Sequence, residues 1–539
     1  MRFTTFAAAS AILLCVITSP DVFAGNINVS NLKDSGGGSL RDAIQKANTQ
    51  KSDPKKGPPV IQFSKNLAGT ILLTSGTLVI SADMVINGPG ANNLTVKRDP
   101  SSPPTSVFQV NFGAVNLSGL TINGGNNPTG GGGIYNVLGS LTLSDCMVVG
   151  NTGSPGGGIF NGPGATIEVS DSTVANNTSS GLGGGICNGV AGVPLAGTLT
   201  LVNSTVANNT AANGGGIYNV FGSTLFLTNV TIAYNTASAN GGGLYNEAQV
   251  TTNIANTIVA LNMAATGMDV YAFDSNRTPP DLIKSSQPDK NSLGNNLIGQ
   301  TSGSSGWVPS DQQNVAAPLL GPLTQNGGTT KTIALLAGSP AIDAGSKPLA
   351  LDPSGAALGY DQRGSGFPRI VGASVDVGAF EVQTPQVSQT ARQWKTAAVT
   401  LLSSSLPTGN AATDKQFKEA IEEITESLEP KLWIDDSHLV GDGGEVFDEE
   451  EEAAEELTDY HIQSASVSIA QEAIKDLIIA DSLLAATEIN AALAGNANEL
   501  AQAQQAFAAA QSATGKQAIE YYEQAFQHAY KAVPHPDSH

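Results

Sequence analysis

The sequence predicts a mainly β protein, a right-handed parallel β-helix solenoid followed by an acidic α-helical C-terminal domain. Three observations carry this. A phrase of three glycines, an aliphatic residue, usually an aromatic, and Asn begins at Gly131, Gly156, Gly183, Gly214 and Gly241, with spacings of 25, 27, 31 and 27 residues. Each copy leads into a stretch of alternating apolar and polar residues, as in Leu225–Asn235, which is the period of a strand with one face inward. Past Glu381 glycine becomes scarce and the apolar spacing turns helical. A period of this length, without helical pattern and with a glycine triplet in each unit, excludes helical repeats and fits one coil of a β-helix.

Taken in order, residues 1–24 read as a signal peptide. Arg2 precedes an apolar run from Phe6 through Ile17, and Val22-Phe23-Ala24 places small residues at a cleavage site. The run is too short to span a bilayer, and no later stretch is long enough, so no transmembrane segment is expected once the signal is removed. Residues 25–110 hold an N-terminal cap and the first coils. In the cap, Ser39 precedes Leu40, Ile44 and Ala47 at helical spacing, which predicts a short amphipathic helix plugging the first coil. Residues 111–270 are the Gly/Asn-rich repeats. Equivalent corners carry Asn136, Asn161, Asn188, Asn219 and Asn246 in one column and Asn151, Asn177, Asn209, Asn235 and Asn262 in another. Side chains stacked at the coil spacing are expected to form hydrogen-bonded ladders. Cys146 and Cys187 occupy repeat positions held elsewhere by Ser or by Tyr and Phe, and are expected as buried free thiols.

Residues 271–383 form irregular last coils and a C-terminal cap, where Asp361, Arg363, Arg369 and Asp376 suggest an ion-pair network tying loops together. Residues 384–539 form the helical domain. They hold 26 acidic and 8 basic side chains, which places −18 of the net charge of −21 there. The run Glu445–Glu456 reads as a solvated helix start. Asp435, Asp436, Asp442 and Asp448 are candidate Ca²⁺ ligands, although their spacing misses the EF-hand pattern. Otherwise no cofactor is expected, and the negative charge disfavours nucleic acid.

The segments Ser39–Thr49, the repeated GGGIYN, and GSPAIDAG (Gly338–Gly345), DQRG (Asp361–Gly364) and VDVGAFE (Val375–Glu381) together resemble bacterial secreted right-handed parallel β-helix proteins. These include polymorphic-outer-membrane-protein-like repeat proteins and surface proteins whose anchors vary. The resemblance implies the fold and a surface or extracellular location, outer-membrane-associated or periplasmic sites included, but no reaction.

Catalysis finds little support in the repeats. Between Arg98 and Arg277 there is no Lys, Arg or His, and from Asn111 to Asn246 the charges are Asp145, Glu168 and Asp171. Asp145 and Asp171 are equivalent positions on adjacent coils, a separation that a retaining glycosidase uses, but Asn203 and Asn229 continue their column as a turn ladder would. The expectation is therefore an exported, noncatalytic, adhesin-like protein presenting its β-helix to an extracellular glycan or surface protein. The competing readings are a polysaccharide lyase or glycoside hydrolase using Asp145 and Asp171 or a site on the loops after Asn262, and a spacer for the acidic helical domain.

Overall fold

A computed structural model describes residues 25–50, 52, 55, 57–190, 197–273, 292–372, 374–383, 390–459, 461–464, 466–492, 495–510 and 513–533. The signal-peptide expectation falls outside these residues. The chain forms a parallel β-solenoid of about eight turns followed by a helical region.

Each full coil contributes one strand to each of four sheets. The coil that opens with Gly214 shows the plan. Ile217–Asn219 lies in sheet 1, Thr224–Thr228 in sheet 2, Thr231–Ala233 in sheet 3 and Thr236–Asn240 in sheet 4. Sheet 1 has eight strands, sheets 2 and 3 ten each, and sheet 4 five. All four are parallel, and pairing through the repeats is residue-for-residue in sheets 1 to 3, as in Leu199↔Leu225 and Leu201↔Leu227, with a shift in sheet 4 between Ala211 and Asn213. Register is fixed because a one-residue slip would turn the inward Leu and Val outward. Leu143, Val169, Leu201 and Leu227 stack as one inward column, all essentially inaccessible. Leu201→Ala would leave a cavity costing about 3 kcal/mol.

The glycine triplet is demanded by the coil contacts. Gly214 has φ 64°, and a Cβ on Gly215 or Gly216 would lie 2.5 Å from the carbonyl oxygen of Gly242 or Gly243 on the next coil. Side chains there would push the coils apart.

Helix α1 (Leu40–Thr49) covers the first coil. Ser39 accepts a hydrogen bond from the Asp42 backbone N–H, and Leu40, Ala43, Ile44 and Ala47 enter the core. Arg41 pairs with Asp34 at 2.7 Å and donates to the carbonyls of Gly76 and Thr77, which ties the helix to the next turn of chain. Cys146 and Cys187 are both buried and free.

The segment expected to close the far end runs along the flank instead. From the hairpin Leu320–Thr324/Thr332–Leu335 to Val382, it lies as a strap over the outer face of sheet 3. Ile258, Ala260 and Leu297 meet Leu320, Ile333, Val377 and Phe380 there in a second apolar core. The physical reason is in the coils: the outward positions of sheet 3 are small or apolar, namely Thr173, Thr205, Thr231 and Ile258, and need covering.

The helical region comprises α2 (Ala391–Ser404), α3 (Ala411–Ser427), α4 (Gly444–Thr458), α5 (Val467–Ala491), α6 (Ala497–Ala510) and α7 (Lys516–Ala532). It packs on the strap through Ala317 and Leu319, which join its core. Among the described residues no helix is long and apolar enough to cross a membrane.

Candidate binding face

The two asparagine columns are internal ladders. Asn136, Asn161, Asn188, Asn219 and Asn246 are linked Nδ2 to Oδ1 at 3.0, 2.9, 3.1 and 2.8 Å. Asn151, Asn177, Asn209, Asn235 and Asn262 are linked at 3.0, 3.0, 2.9 and 2.9 Å. In the second column each Oδ1 also accepts a backbone N–H from the preceding coil, as Asn209 does from Asn177 and Asn151 from Gly125. Both ladders point one way, and all ten residues are buried. They satisfy corner backbone that water cannot reach and offer nothing to a ligand.

The second ladder ends on Asp269, which accepts the Asn262 Nδ2 at 2.9 Å and its backbone N–H at 3.0 Å. A last acceptor needs no donor above it, so a carboxylate suits the terminus. Burial pushes the Asp269 carboxyl up to about 7. Asp311 ends a shorter column in the same way, accepting from Asn296. Neither terminator stands out in the sequence. Asp311 stands at the ladder position, in line with Asn296, whereas Asp269 stands where earlier coils carry the third glycine, in line with Gly243, and reaches the ladder's end from there.

Asp145 and Asp171 share a corner with Asn203, Asn229 and Asn256, and all five adopt the left-handed conformation, with φ between 44° and 52°. Asn and Asp tolerate that region better than other side-chain-bearing residues, which explains the residue choice without catalysis. The strap lies over this column. Thr329 Oγ1 donates to Asp145 at 3.1 Å, Thr330 Oγ1 to the Asp171 carbonyl at 3.1 Å, and Asn203 Nδ2 to the Tyr360 carbonyl at 2.8 Å. Burial, then the neighbouring Asp145, pushes the Asp171 carboxyl up to about 7. The strap covers part of the pair, and both residues stay partly exposed.

Within the strap, Asp361, Arg363, Arg369 and Asp376 are brought together with Glu381. Arg363 meets Asp361 at 2.6 Å, and Arg369, fully buried, meets Glu381 at 3.0 Å. Glu381 also accepts from the backbone of Val371 and Asp376, and Asp376 from Asp343 and Val382. Burial raises the Glu381 carboxyl to about 7 and raises Asp376 as well, against the pull of Arg369. The groups of this network are spent largely on one another and on loop carbonyls and N–H groups, with Arg369 Nε buried and without a hydrogen-bond partner among the described residues.

Asp435, Asp436, Asp442 and Asp448 are not gathered. Asp435 binds His438 Nδ1 at 2.8 Å, Asp436 faces Arg392 at 3.9 Å, and Asp442 accepts the Gly444 N–H at 3.4 Å. Asp448 sits instead beside Glu523, whose carboxyl it helps raise after burial. Among the described residues the acidic side chains that converge are Glu423, Glu426 and Glu449.

One outer face is chemically distinctive and partly open: Tyr135, Tyr245 and Tyr271 are half-buried, whereas Phe160, Cys187 and Tyr218 are buried in a small apolar cluster with Val220. The middle residue of each sheet 1 strand points outward, giving the column Val79, Gln109, Tyr135, Phe160, Cys187, Tyr218, Tyr245 and Tyr271. Tyr135 and Phe160 stack with ring centroids 5.1 Å apart, Tyr218 and Tyr245 at 4.5 Å, and Tyr245 and Tyr271 at 5.0 Å. Tyr218 donates to Glu247 at 2.6 Å, and burial followed by this bond raises its phenol. Where Cys187 interrupts the rings, a pocket of about 280 Å³ opens between Phe160, Leu182, Val190 and Val220. Beside the column, the turns into sheet 2 expose Phe112, Leu138 and Phe221, the first at 57%. Sequence reading sees an aromatic in every copy of the phrase but the one with Cys187, and only the register shows that the rings lie in one outward column. A larger cavity of about 670 Å³ lies away from the repeats, between Leu335 of the strap and Trp394, Ile474 and Ile478 of the helical region.

Fold and face together define the class, a parallel β-solenoid repeat protein. No protein-family model matches the chain, and no curated protein matches it in sequence.

Proposed function

We propose that this is an exported, noncatalytic, adhesin-like binding protein whose aromatic sheet 1 face engages an extended extracellular glycan or surface protein. The observation that carries the reading is the outward stripe of Tyr135, Phe160, Tyr218, Tyr245 and Tyr271 flanked by exposed Phe112, Leu138 and Phe221. Tyrosines present an apolar body and a polar tip, and the half-buried Tyr135, Tyr245 and Tyr271 together with exposed Phe112, Leu138 and Phe221 form the kind of apolar row that marks an interaction surface. The coil spacing of about 4.8 Å sets a regular rise along which a linear ligand can lie.

The roofing of Asp145 and Asp171 by Thr329 and Thr330 weighs against polysaccharide cleavage at that pair. The test is a glycan-array and surface-protein binding screen on the full chain, run beside a depolymerisation assay with and without Ca²⁺. Binding without new reducing ends or unsaturated products, weakened at least ten-fold by Tyr245→Ala with Tyr271→Ala, is the expected result. Cleavage lost in Asp145→Asn would replace this reading with the enzymatic one.

A further inference from the structure

The helical region buries three ionisable side chains that no binding role requires. Lys395 of α2, Glu450 of α4 and Asp481 of α5 are each wholly inaccessible. Lys395 Nζ touches Glu450 Oε1 and lies 2.9 Å from Asp481 Oδ1. Ser427 Oγ donates to Glu450 Oε1 at 3.0 Å. The rings of Trp433 and Phe447 lie 5.8 and 5.9 Å from Nζ, and Tyr522 closes the Asp481 side, its hydroxyl raised by burial and by that carboxylate. Glu450 Oε2 and Asp481 Oδ2 are buried with no hydrogen-bond partner among the described residues.

As an ion cluster this arrangement is expensive. One ammonium faces two carboxylates away from water, and burying charges costs several kcal/mol for each ion even after relaxation. Burial, then the neighbouring Asp481 charge, drives Glu450 well above the usual carboxylate range, so Glu450 holds a proton. Both acids hold Lys395 charged, with its pKa raised, so the ammonium releases a proton only to a neighbouring carboxylate. These are the requirements for condensation: an amine, a carboxyl carbon held beside it, a second carboxyl to carry protons, and no competing water.

We propose that Lys395 and Asp481 become joined by a side-chain amide inside the folded helical region, with Glu450 relaying the protons. Glu450 gives the proton it holds to the Asp481 carboxylate and takes one from Nζ in its place, and the freed lone pair attacks Asp481 Cγ, forming the C–N bond. A second Nζ proton passes to the Asp481 hydroxyl, the Cγ–O bond breaks, and the departing oxygen leaves as water carrying one proton from Glu450 and one from Nζ. Glu450 ends as it began, and no oxidant or co-reactant is consumed. The product replaces two buried charges with a neutral amide. It staples α2 to α5, enclosing the 85 residues between them in a covalent loop.

Peptide mass mapping of the denatured full chain after trypsin tests this directly. The expected species is Gln393–Lys415 linked to Asp476–Lys516, one water lighter than their sum, with cleavage after Lys395 blocked. Lys395→Arg should remove it, and Glu450→Gln should lower its yield at least ten-fold. Recovery of wild-type Gln393–Lys395 and Asp476–Lys516 as linear peptides would overturn the proposal. A link from Lys395 to Glu450 would overturn the assignment of Asp481. The wild-type map decides even if a variant fails to fold.

Discussion

At the residue scale, the ladders make Asn and Asp non-equivalent in a predictable direction. Asn209 accepts from Asn177 and donates to Asn235 and the Val174 carbonyl. Asn209→Asp removes both donors from a buried site and sets a carboxylate among carbonyl oxygens. Urea unfolding should show a loss of about 3 kcal/mol, the scale of leaving buried polar groups unpaired. Asp269→Asn, at the terminus, keeps the acceptor and should cost far less. At the strap-covered corner the order reverses. Asp171 lies in a column continued by Asn203 with the same backbone conformation, and its carboxyl is raised to about 7 by burial and by Asp145. Asp171→Asn should therefore stabilise the protein at pH 8, by on the order of 1 kcal/mol, and do little at pH 5.

At the element scale, the strap is held mainly by hydrogen bonds to the coils. Gln362 is the central pin. It accepts from Thr205 at 2.6 Å and donates to Thr173 and Thr330 at 3.0 Å each. Gln362→Ala should cost about 2 kcal/mol. It should raise amide exchange in the strap and in sheet 3 while leaving sheet 1 protected, a pattern that hydrogen-exchange mass spectrometry resolves. The elements divide by how legible they are in sequence. The coils could be read because each inward Leu and each corner Asn recurs at one period, and α1 because Ser39, Leu40 and Ile44 announce it. The strap's place could not be read. Its attachments, such as Thr173 to Lys331 and Asn256 to Ser346, join residues far apart in the chain with no shared period. The same holds for Lys395, Glu450 and Asp481, which come from three helices of otherwise ordinary composition. The aromatic stripe was half legible: the ring positions recur, but Cys187 and Gln109 break the run, and only pairing shows which way the rings face.

At the scale of the whole molecule, pH dependence follows from the balance of buried and exposed acids. Asp171, Asp269 and Glu381 have folded pKa values raised to about 7, burial being the first cause in each. Between the unfolded values near 4 and the folded values near 7 the native state binds more protons. Their contribution is thus fully present below about pH 4 and is lost as pH rises through 7. Asp34 and Asp352 have lowered values, against the largest influence in Asp34, burial, and through the Ser354 hydrogen bond in Asp352. Such groups stabilise above the unfolded value and lose that effect as pH falls below it. The melting temperature should therefore rise as pH is lowered from 8 to about 5, then fall below about 4, as calorimetry can verify. Salt should also raise it at pH 8, because a net charge of −21, concentrated in the helical region, repels itself.

The one-way ladders also give the solenoid a grammar for changing length. An Asn inside the array passes a bond on, whereas Asp269 receives and passes nothing. A duplicated unit dropped between Gly131 and Asn246 meets matching neighbours above and below and needs no other change. The same unit appended beyond Asp269 would arrive after the full stop, with a carboxylate where its corner requires a donor. Growth and shrinkage of the array by whole coils are thus confined to its middle, so two proteins of this design can differ in length while sharing both ends.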